Sequence, residues 1–460
     1  MTSNNDTIVA LATPAGGAIG VLRLSGSEAI NLISRLFRPA KAKTDILNAQ
    51  PNTLHYGTLH ALDATDIDDV VVSVYRAPHS YTGEDCVEVS CHGSAYVLQQ
   101  ALHACIDAGA RQARPGEYTQ RAYLNGKIDL SQAEAVADLI AATNKATHQM
   151  ALRQLKGHFS NELSLLREQL LKLTSLLELE LDFSDHEDLE FADRKELNLL
   201  TMTIDNRIVE LAHSFETGNA LKQGIPVAII GKTNVGKSTL LNQLLHEEKA
   251  IVSDIDGTTR DVIEDIVTIQ GVPFRFIDTA GLRHTADKVE QIGISRAYQK
   301  MEEAAIVLWL LDAMPTDEET SNLVNRIENK KVIIVHNKAD INGPASPLRL
   351  ANLNPFAELS ISAKQGTGID QLQAVIHAAA AIPELNENSV MVTSTRHYEA
   401  LTRAHENLLR VLAGFSAHLS GDLLSEDLRT CLDDLADITG GSITPQETLN
   451  NIFKHFCIGK

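Results

Sequence analysis

The pattern of hydrophobic and polar positions changes along the chain and separates an α+β segment from an α/β segment. Near the start, β-rich runs at 19–24 and 70–75 stand between turn residues, and 95–108 has the spacing of a helix that ends at Gly109. From 225 onward, β-branched runs alternate with helical segments, which predicts a largely parallel, doubly wound sheet. The predicted strands of that sheet are 225–230, 273–277, 306–311, 332–335 and 358–361.

Two helical segments flank the α/β segment. Ser131-Gln132-Ala133-Glu134 has the pattern of a capping box. The apolar residues that follow recur at three- and four-residue steps on one helix face: Leu152, Leu155, Phe159, Leu163, Leu166, Leu170, Leu173 and Leu177. Residues from about 395 return to this period, so we predict that the α/β domain is inserted into a discontinuous helical bundle; periodicity alone equally allows two separate bundles. The predicted domains are 1–125, 126–220, 221–384 and 385–460.

Composition narrows the class of protein. The chain has 460 residues, enough for about three domains, and a formal net charge of −20. None of the four predicted segments is basic, which argues against holding a nucleic acid by bulk charge alone. Five scattered cysteines without a CxxC pair indicate a reducing environment, and the start lacks a basic leader region, so we expect a cytoplasmic protein.

A phosphate-binding motif follows the first predicted strand of the α/β segment. Residues 231–238 match GxxxxGK[ST], in which glycines let backbone N–H groups surround phosphates. Lys237 then reaches the β- and γ-phosphate oxygens and Ser238 binds Mg²⁺. The candidate nucleotide contacts in this loop are Asn234, Val235, Gly236, Lys237, Ser238 and Thr239.

Three further motifs follow in the order that a GTPase needs. Asp278, Thr279, Ala280 and Gly281 end a strand, where a carboxylate and an N–H meet the metal and the γ-phosphate. Thr258 and Thr259 lie where a switch loop adds a hydroxyl to the metal. Asn337, Lys338 and Asp340 form an NKxD motif whose aspartate accepts the N1–H and N2–H₂ donors of guanine, which adenine lacks. Ser362, Ala363 and Lys364 resemble the motif that supports this base.

The residue after Gly281 departs from the small signalling GTPases. Those proteins place a glutamine there to orient the attacking water, whereas this chain has Leu282. Another group must therefore hold the water. Arg260 and Arg283 are predicted to be structural or switch residues rather than arginine fingers.

Together with the terminal residues 457–460, these motifs resemble the MnmE (TrmE) family of tRNA-modification GTPases. The resemblance covers nearly the whole chain. The segments that carry it are 6–10, 81–85, 114–122, 124–127, 129–135, 255–260 and Cys457-Ile458-Gly459-Lys460.

The resemblance implies an N-terminal folate-binding and dimerising α+β domain, a discontinuous helical domain and an inserted P-loop GTPase domain. It implies a homodimer that works with the FAD-dependent protein MnmG. Together they install an aminomethyl or carboxymethylaminomethyl group at C5 of the wobble uridine, position 34, of certain tRNAs, with a tetrahydrofolate derivative as one-carbon donor. GTP hydrolysis is coupled to this chemistry, and tRNA is expected to be held mainly through the partner.

The resemblance also implies roles for individual residues. Arg23, Glu88, Lys127 and Lys460 match folate contacts, and Cys457 matches a cysteine proposed to act in the modification, although a buried filler role is equally compatible with its sequence. Glu290 matches the carboxylate that orients water. A potassium site is implied at Asn234, Ser253, Ile255 and Thr258, and the switch-loop nucleotide contacts are Ser253, Asp254, Ile255, Asp256, Gly257, Thr258 and Thr259.

Two other functions share parts of this pattern. A ribosome-assembly GTPase would have the same G motifs but should add an RNA-binding KH module or a second G domain. The one short match to a KH loop, residues 17–20, lacks basic interior residues, and no second P-loop is present in the sequence. A non-enzymatic scaffold gated by GTP would bind the nucleotide without folate.

Overall fold

The computed structural model describes residues 6–41, 45–182, 194–232, 234–246, 265–277, 303–324, 327, 330–343, 354–382, 390–441, 446–454 and 456–459. The chain divides into two compact units. The first comprises residues 1–141, 151–205 and 403–460, and the second comprises 142–150 and 206–402. Each unit is described by itself.

A seven-stranded mixed sheet forms the base of the first unit, in the order β3-β4-β5-β6-β2-β1-β7. Its strands are β1 (Ile8–Leu11), β2 (Ile19–Ser25), β3 (Phe37–Pro39), β4 (Thr53–His60), β5 (Asp66–Tyr75), β6 (Cys86–His92) and β7 (Arg111–Gln112). The predicted strands at 19–24 and 70–75 are confirmed as parts of β2 and β5.

The two faces of this sheet differ. Alternate residues of the central strands, including Leu22, Val72 and Val89, are buried in one core beneath α1 (Ala29–Ser34) and α2 (Ala95–Asp107). The intervening residues lie on the other face, where Ile19, Leu54 and Tyr56 are 66%, 70% and 58% exposed. The N-terminal α+β prediction is therefore confirmed, and one sheet face presents apolar side chains to solvent.

Helices form the rest of the first unit. They are α3 (Glu117–Leu124), α4 (Leu130–Ala141), α6 (His158–Asp182), α13 (Gly421–Thr439) and α14 (Gln446–Phe453), while α5 (Lys145–Leu155), α7 (Arg194–Gln223) and α12 (Thr395–Ser416) each extend across the division between the units. Helix α13 packs against α4 and α6, and α14 packs against α3. Helices that precede and follow the second sheet in the chain thus share one bundle, which favours insertion; the four predicted domain boundaries stay predictions.

Two details of the helical prediction are wrong. The capping box lies two residues earlier than predicted: the Gln132 N–H donates to Asp129 Oδ1 at 2.9 Å, and Gln132 Oε1 accepts from the Asp129 N–H at 3.0 Å. Ser131 lies inside α4 and is fully buried. The long apolar stripe belongs to two helices, α5 and α6, because Gly157 between them has φ +83° and ends the first.

The second unit contains a six-stranded sheet in the order β13-β12-β11-β8-β10-β9. Its strands are β8 (Ile225–Ile230), β9 (Asp265–Ile269), β10 (Val272–Ile277), β11 (Ile306–Leu311), β12 (Lys331–His336) and β13 (Ala357–Ser360). All described pairings are parallel except β9 with β10, so the doubly wound prediction is confirmed and β9 is an edge strand that the sequence reading missed.

Helices and an unexpected segment complete this unit. The helices are α8 (Lys237–His246), α9 (Asp317–Val324), α10 (Ala339–Asn342) and α11 (Ile369–Ala379). The first half of α5 also belongs here: Ala146 and Met150 are buried in the core that holds Phe274 and Phe276, and the Ala146 N–H donates to the Gly271 carbonyl. In the described part of the chain, no helix is long and apolar enough to span a membrane.

Candidate functional site

A glycine-rich loop joins β8 to α8. Gly231 has φ +150°, and a Cβ atom there would lie 2.5 Å from the Leu310 carbonyl oxygen. Gly236 has φ +103°, and a Cβ atom there would lie 2.3 Å from Asn337 Nδ2. Glycine is required at both positions because the loop passes so close to its neighbours. A loop of this kind at the start of a helix directs backbone N–H groups toward an anion.

Lys237 lies inside this loop. Its Nζ donates to the carbonyl oxygens of Gly231 and Lys232, both at 2.7 Å. Burial lowers the pKa of the Lys237 ammonium. Its charge is therefore held at the loop by backbone oxygens, which phosphate oxygens could replace.

The other predicted loop residues occupy different environments. Val235 is buried, Gly236 and Ser238 are half-buried, and Asn234 and Thr239 are exposed. Asn234 has φ +63°, an unusual left-handed conformation for a residue with a side chain. Ser238 is the second residue of α8, beside Lys237.

Asn337 connects the phosphate loop to the predicted base-binding segment. It follows β12, is 5% exposed, and its Nδ2 donates to the Val235 carbonyl at 2.8 Å. Its Oδ1 accepts from the Ala363 N–H at 3.0 Å. One buried amide therefore fixes both segments, at the carboxyl end of the sheet where α/β proteins bind ligands.

Asp340 and Ser362, both in the predicted base-binding segments, are joined by a hydrogen bond. The Ser362 hydroxyl donates to Asp340 Oδ1 at 2.7 Å, while the Asp340 side chain stays open to solvent. One carboxylate oxygen is thus oriented by the protein, and the other can accept from a ligand. Lys338 has φ +64°, and its Nζ lies 2.6 Å from Asp312 Oδ2. Lys364 is exposed beside the buried Ala363.

Several predicted residues lie outside the described part of the chain. They are Ser253, Asp254, Ile255, Asp256, Gly257, Thr258, Thr259, Asp278, Thr279, Ala280, Gly281, Glu290 and Lys460. Strand β9 begins at Asp265 and β10 ends at Ile277, so each strand adjoins one of these segments in the sequence. Among the described residues, no group of three or more His, Cys, Asp or Glu side chains could hold a metal ion.

A second candidate site lies on the exposed sheet face of the first unit. Arg23 on β2 and Glu88 on β6 are register partners, with Nε–Oε1 and Nη2–Oε1 distances of 2.9 and 2.7 Å. The guanidinium carbon of Arg23 lies 5.6 Å from the Tyr81 ring centre and 5.8 Å from that of Tyr118. Burial opposes the charge, but Glu88 outweighs it and raises the pKa of Arg23.

Lys127 lies beside the same loop that carries Tyr81. Its Nζ donates to the Pro78 carbonyl at 3.1 Å, and its Cγ would lie 3.3 Å from a Cβ atom on Gly83. The loop 78–83 therefore touches both Arg23 and Lys127. The sequence analysis missed both tyrosines, because neither Tyr81 in the loop nor Tyr118 on α3 carries a sequence signal of its contact with Arg23.

The C-terminal tail packs against this domain. A Cβ atom on Gly459 would lie 2.1 Å from the Leu11 carbonyl oxygen, and the Gly116 N–H donates to the Cys457 carbonyl at 3.4 Å. Cys457 itself is exposed, so the alternative that it fills the core is wrong. The residue before Lys460 thus lies at the end of β1, a strand that pairs with the strand of Arg23.

Comparisons with known proteins find similar chains along nearly the whole sequence. Residues 7–127 match the family model described as the GTP-binding protein TrmE N-terminus, and residues 130–457 match the MnmE helical domain. The tRNA modification GTPase MnmE of Phocaeicola vulgatus is 51% identical over 499 residues, covering 99% of each chain. That of Bacteroides fragilis is 53% identical over 467 residues, covering 99% of this chain and 100% of the relative.

A solved structure is also similar in part. It is a GTP-binding protein from the hyperthermophilic archaeon Sulfolobus solfataricus in complex with GDP, with 16% identity and a TM-score of 0.25, covering 47% of this chain and 67% of the other. This similarity is too remote to support a functional argument.

Proposed function

The chain belongs to the MnmE family of tRNA modification GTPases, and from that premise we propose how its two candidate sites contribute to one modification. As a member, it is an enzyme that hydrolyses GTP. We propose that hydrolysis is coupled to adding an aminomethyl or carboxymethylaminomethyl group at C5 of the wobble uridine, position 34, of certain tRNAs. Because the proposed substrate is tRNA, we propose that the protein acts in the cytoplasm.

The observation that supports the GTPase part of the proposal is the pair of hydrogen bonds made by the Asn337 side chain. Because this buried amide holds both Val235 and Ala363, it links the phosphate loop to the base site. Lys237 is positioned to meet phosphate oxygens, and the solvent-exposed Asp340 to accept the two N–H donors of guanine. We propose that Glu290 orients the attacking water.

Two ions complete this proposal. Ser238, next to Lys237 at the start of α8, fits an Mg²⁺ ligand together with Thr259, and the ion would neutralise phosphate charge. Asn234 fits a K⁺ ligand, because it is exposed at the loop in a left-handed conformation; Ser253, Ile255 and Thr258 would complete the shell. A monovalent cation there supplies electrostatic stabilisation of the kind an arginine finger gives.

The sheet site supports the folate part. A pterin carries adjacent N–H donors, which suit the Glu88 carboxylate, and its flat ring suits the exposed Tyr81 ring beside Arg23, the ion-pair partner of Glu88. The cations Lys127 and Lys460 suit a glutamyl tail. We assign the tetrahydrofolate one-carbon donor to this site, with Cys457 on the neighbouring tail as a candidate group in the transfer.

The proposed assembly is a homodimer that works with FAD-dependent MnmG. Leu54 and Tyr56, alternate residues of β4 that are exposed on one sheet face, support self-association, since adjacent exposed apolar side chains often mark an interaction surface. The net charge of −20 supports a tRNA grip that comes mainly from the partner. Sedimentation of Tyr56→Glu against the wild type tests the dimer: an unchanged dimer would show that this face is not the interface.

The nucleoside profile of tRNA tests the proposed function as a whole. Cells that lack the protein should lose the modified wobble uridine by mass spectrometry, and the wild-type gene should restore it. Lys237→Ala should fail to restore it because phosphate binding is lost. Arg23→Ala should also fail while retaining GTP hydrolysis, whereas Arg38→Ala should succeed, because Arg38 and Asp66 form a pair that is 55% and 59% exposed. An unchanged profile in the deletion strain would overturn the tRNA assignment.

A further inference from the structure

Lys338 of the NKxD motif pairs with Asp312, a residue that belongs to none of the motifs that the function already uses. Asp312 follows Leu311, the last residue of β11, and Lys338 comes two residues after the end of the neighbouring strand β12. The two strands are parallel, with Leu311 opposite His336. The Lys338 side chain therefore crosses from one strand end to the next, along the edge where the nucleotide is proposed to bind.

Hydrogen bonds to backbone carbonyls fix the chain at both ends of the Lys338–Asp312 ion pair. The Asn337 N–H donates to the Leu311 carbonyl at 2.7 Å, and Asn342 Nδ2 donates to the Asp312 carbonyl at 3.1 Å. At the side-chain level, Lys338 Nζ lies 2.6 Å from Asp312 Oδ2. The methylene stem of Lys338 is thus held between two anchored points.

Stability alone gives little reason for this pair. The two side chains are 35% and 31% exposed, and a pair so open to solvent contributes little to folding. A lysine stem, however, has much rotational freedom, which is lost when it packs against a ligand. A partner that restrains the stem beforehand removes part of that loss.

We propose that Asp312 is a positioning residue for guanine-nucleotide binding, which holds the Lys338 stem flat as an apolar support for the purine ring. The inference rests on the proposed GTP site and assigns a residue that belongs to none of its motifs. Lys338 stands between Asn337, which holds the phosphate loop, and Asp340, which faces the base edge. Its methylenes suit the flat face of the base, while its ammonium reaches Asp312.

Asp340 and the Lys338 stem contribute to nucleotide affinity in different ways. Asp340 accepts from the N1–H and N2–H₂ donors of the base, so it determines preference among purines. The Lys338 stem touches the ring face, which guanine and hypoxanthine share. Loss of Asp312 should therefore lower the affinity for guanine and hypoxanthine nucleotides by the same factor and leave the preference between them unchanged.

Calorimetric titration of the full-length protein with GDP and with IDP tests this. For Asp312→Ala we expect a Kd about tenfold higher for both ligands, equal to 1.4 kcal/mol, with a constant ratio between them. The matched control is Glu210→Ala, because Glu210 and Arg207 form another exposed pair of the second unit, at 2.8 Å, and should leave both Kd values unchanged. GTP turnover should show a raised KM and an unaltered kcat.

A double-mutant cycle with Lys338→Met makes the test specific. Methionine keeps an apolar stem but cannot pair with Asp312, so adding Asp312→Ala to Lys338→Met should change the Kd by less than about twofold. If Asp312→Ala alone leaves both Kd values unchanged while the wild type binds GDP, the inference is wrong and the GTP site stands. A change in the GDP to IDP ratio would also overturn it. Failure of the wild type to bind GDP would instead refute the proposed function.

Discussion

Glu117 on α3 offers the sharpest test of the electrostatics that hold the first unit together. Its side chain is 2% exposed, and its Oε1 lies 2.5 Å from Arg111 Nη2 and 3.4 Å from Arg121 Nη2. Its Oε2 accepts from the Arg114 N–H at 2.8 Å. Arg121 also pairs with Asp6 at 2.7 Å and with Glu84 at 3.2 Å, so one guanidinium links Glu117 to the segment before β1 and to the loop before β6.

The pKa of Glu117 converts this geometry into a free energy. Burial alone would raise the pKa, but the hydrogen bonds and charges of Arg111 and Arg114 outweigh it and lower the value from 4.5 to about 2. Since a pKa unit equals 1.36 kcal/mol, the ionised carboxylate stabilises the fold by about 3 kcal/mol at neutral pH. The native pKa is the lower one, so this stability is complete above pH ~4.5 and is lost as the pH falls toward 2.

Glu117→Gln should therefore lower the free energy of unfolding of the first unit by about 3 kcal/mol at pH 7, with a difference of only about 1.4 kcal/mol remaining at pH 3. Hydrogen exchange of peptides from α3 and β1 measures the stability of the first unit. Tryptophan fluorescence would not, because Trp309, the one tryptophan, lies in the second unit. Asp66→Asn is the control, since its pair with Arg38 is exposed and should contribute at most about 0.5 kcal/mol. A loss below about 1 kcal/mol at pH 7, or one that does not shrink in acid, would refute the argument.

Three other predictions concern the second unit. Asp340→Asn should abolish the preference for GTP over ATP in competition binding; an unchanged preference would contradict its base-reading role. Glu290→Ala should slow hydrolysis while GTP binding persists, and a wild-type rate would remove it from the mechanism. Met150→Ala should destabilise this unit by about 2–5 kcal/mol in urea unfolding followed by Trp309 fluorescence, whereas Met314→Ala, 74% exposed in the wild type, should change it little; equal effects would contradict the assigned packing.

The central strands of the second sheet could be predicted from the sequence because they are buried on both faces and are therefore almost continuously apolar. Residues 306–311 are buried at all six positions, and no other element type fits so short a run between turns. Strand β9 escaped notice for the opposite reason. It is an edge strand with Asp265 and an exposed Ile266, so its pattern is mixed and only its pairing with β10 defines it.

The phosphate loop and the base motif could likewise be predicted, because their chemistry fixes residue types at fixed spacings. The contacts that connect these motifs could not be predicted. The hydrogen bond from Asn337 to Val235 spans 102 positions in the sequence, and Asp312, the partner of Lys338, belongs to no motif.

The sequence pattern also could not predict to which unit the first half of α5 belongs. Ala146 and Met150 repeat at the helical step and read as part of the bundle, yet they are buried in the core of the second sheet. A periodic pattern states that a helix buries one face, and it does not state which core receives it. The Ala146 N–H bonds to Gly271, in the turn between β9 and β10. In the sequence, this hairpin lies between the segment that carries Thr259 and the segment that carries Asp278, the two predicted switch segments. A residue from outside the predicted G domain therefore contacts the hairpin that joins them.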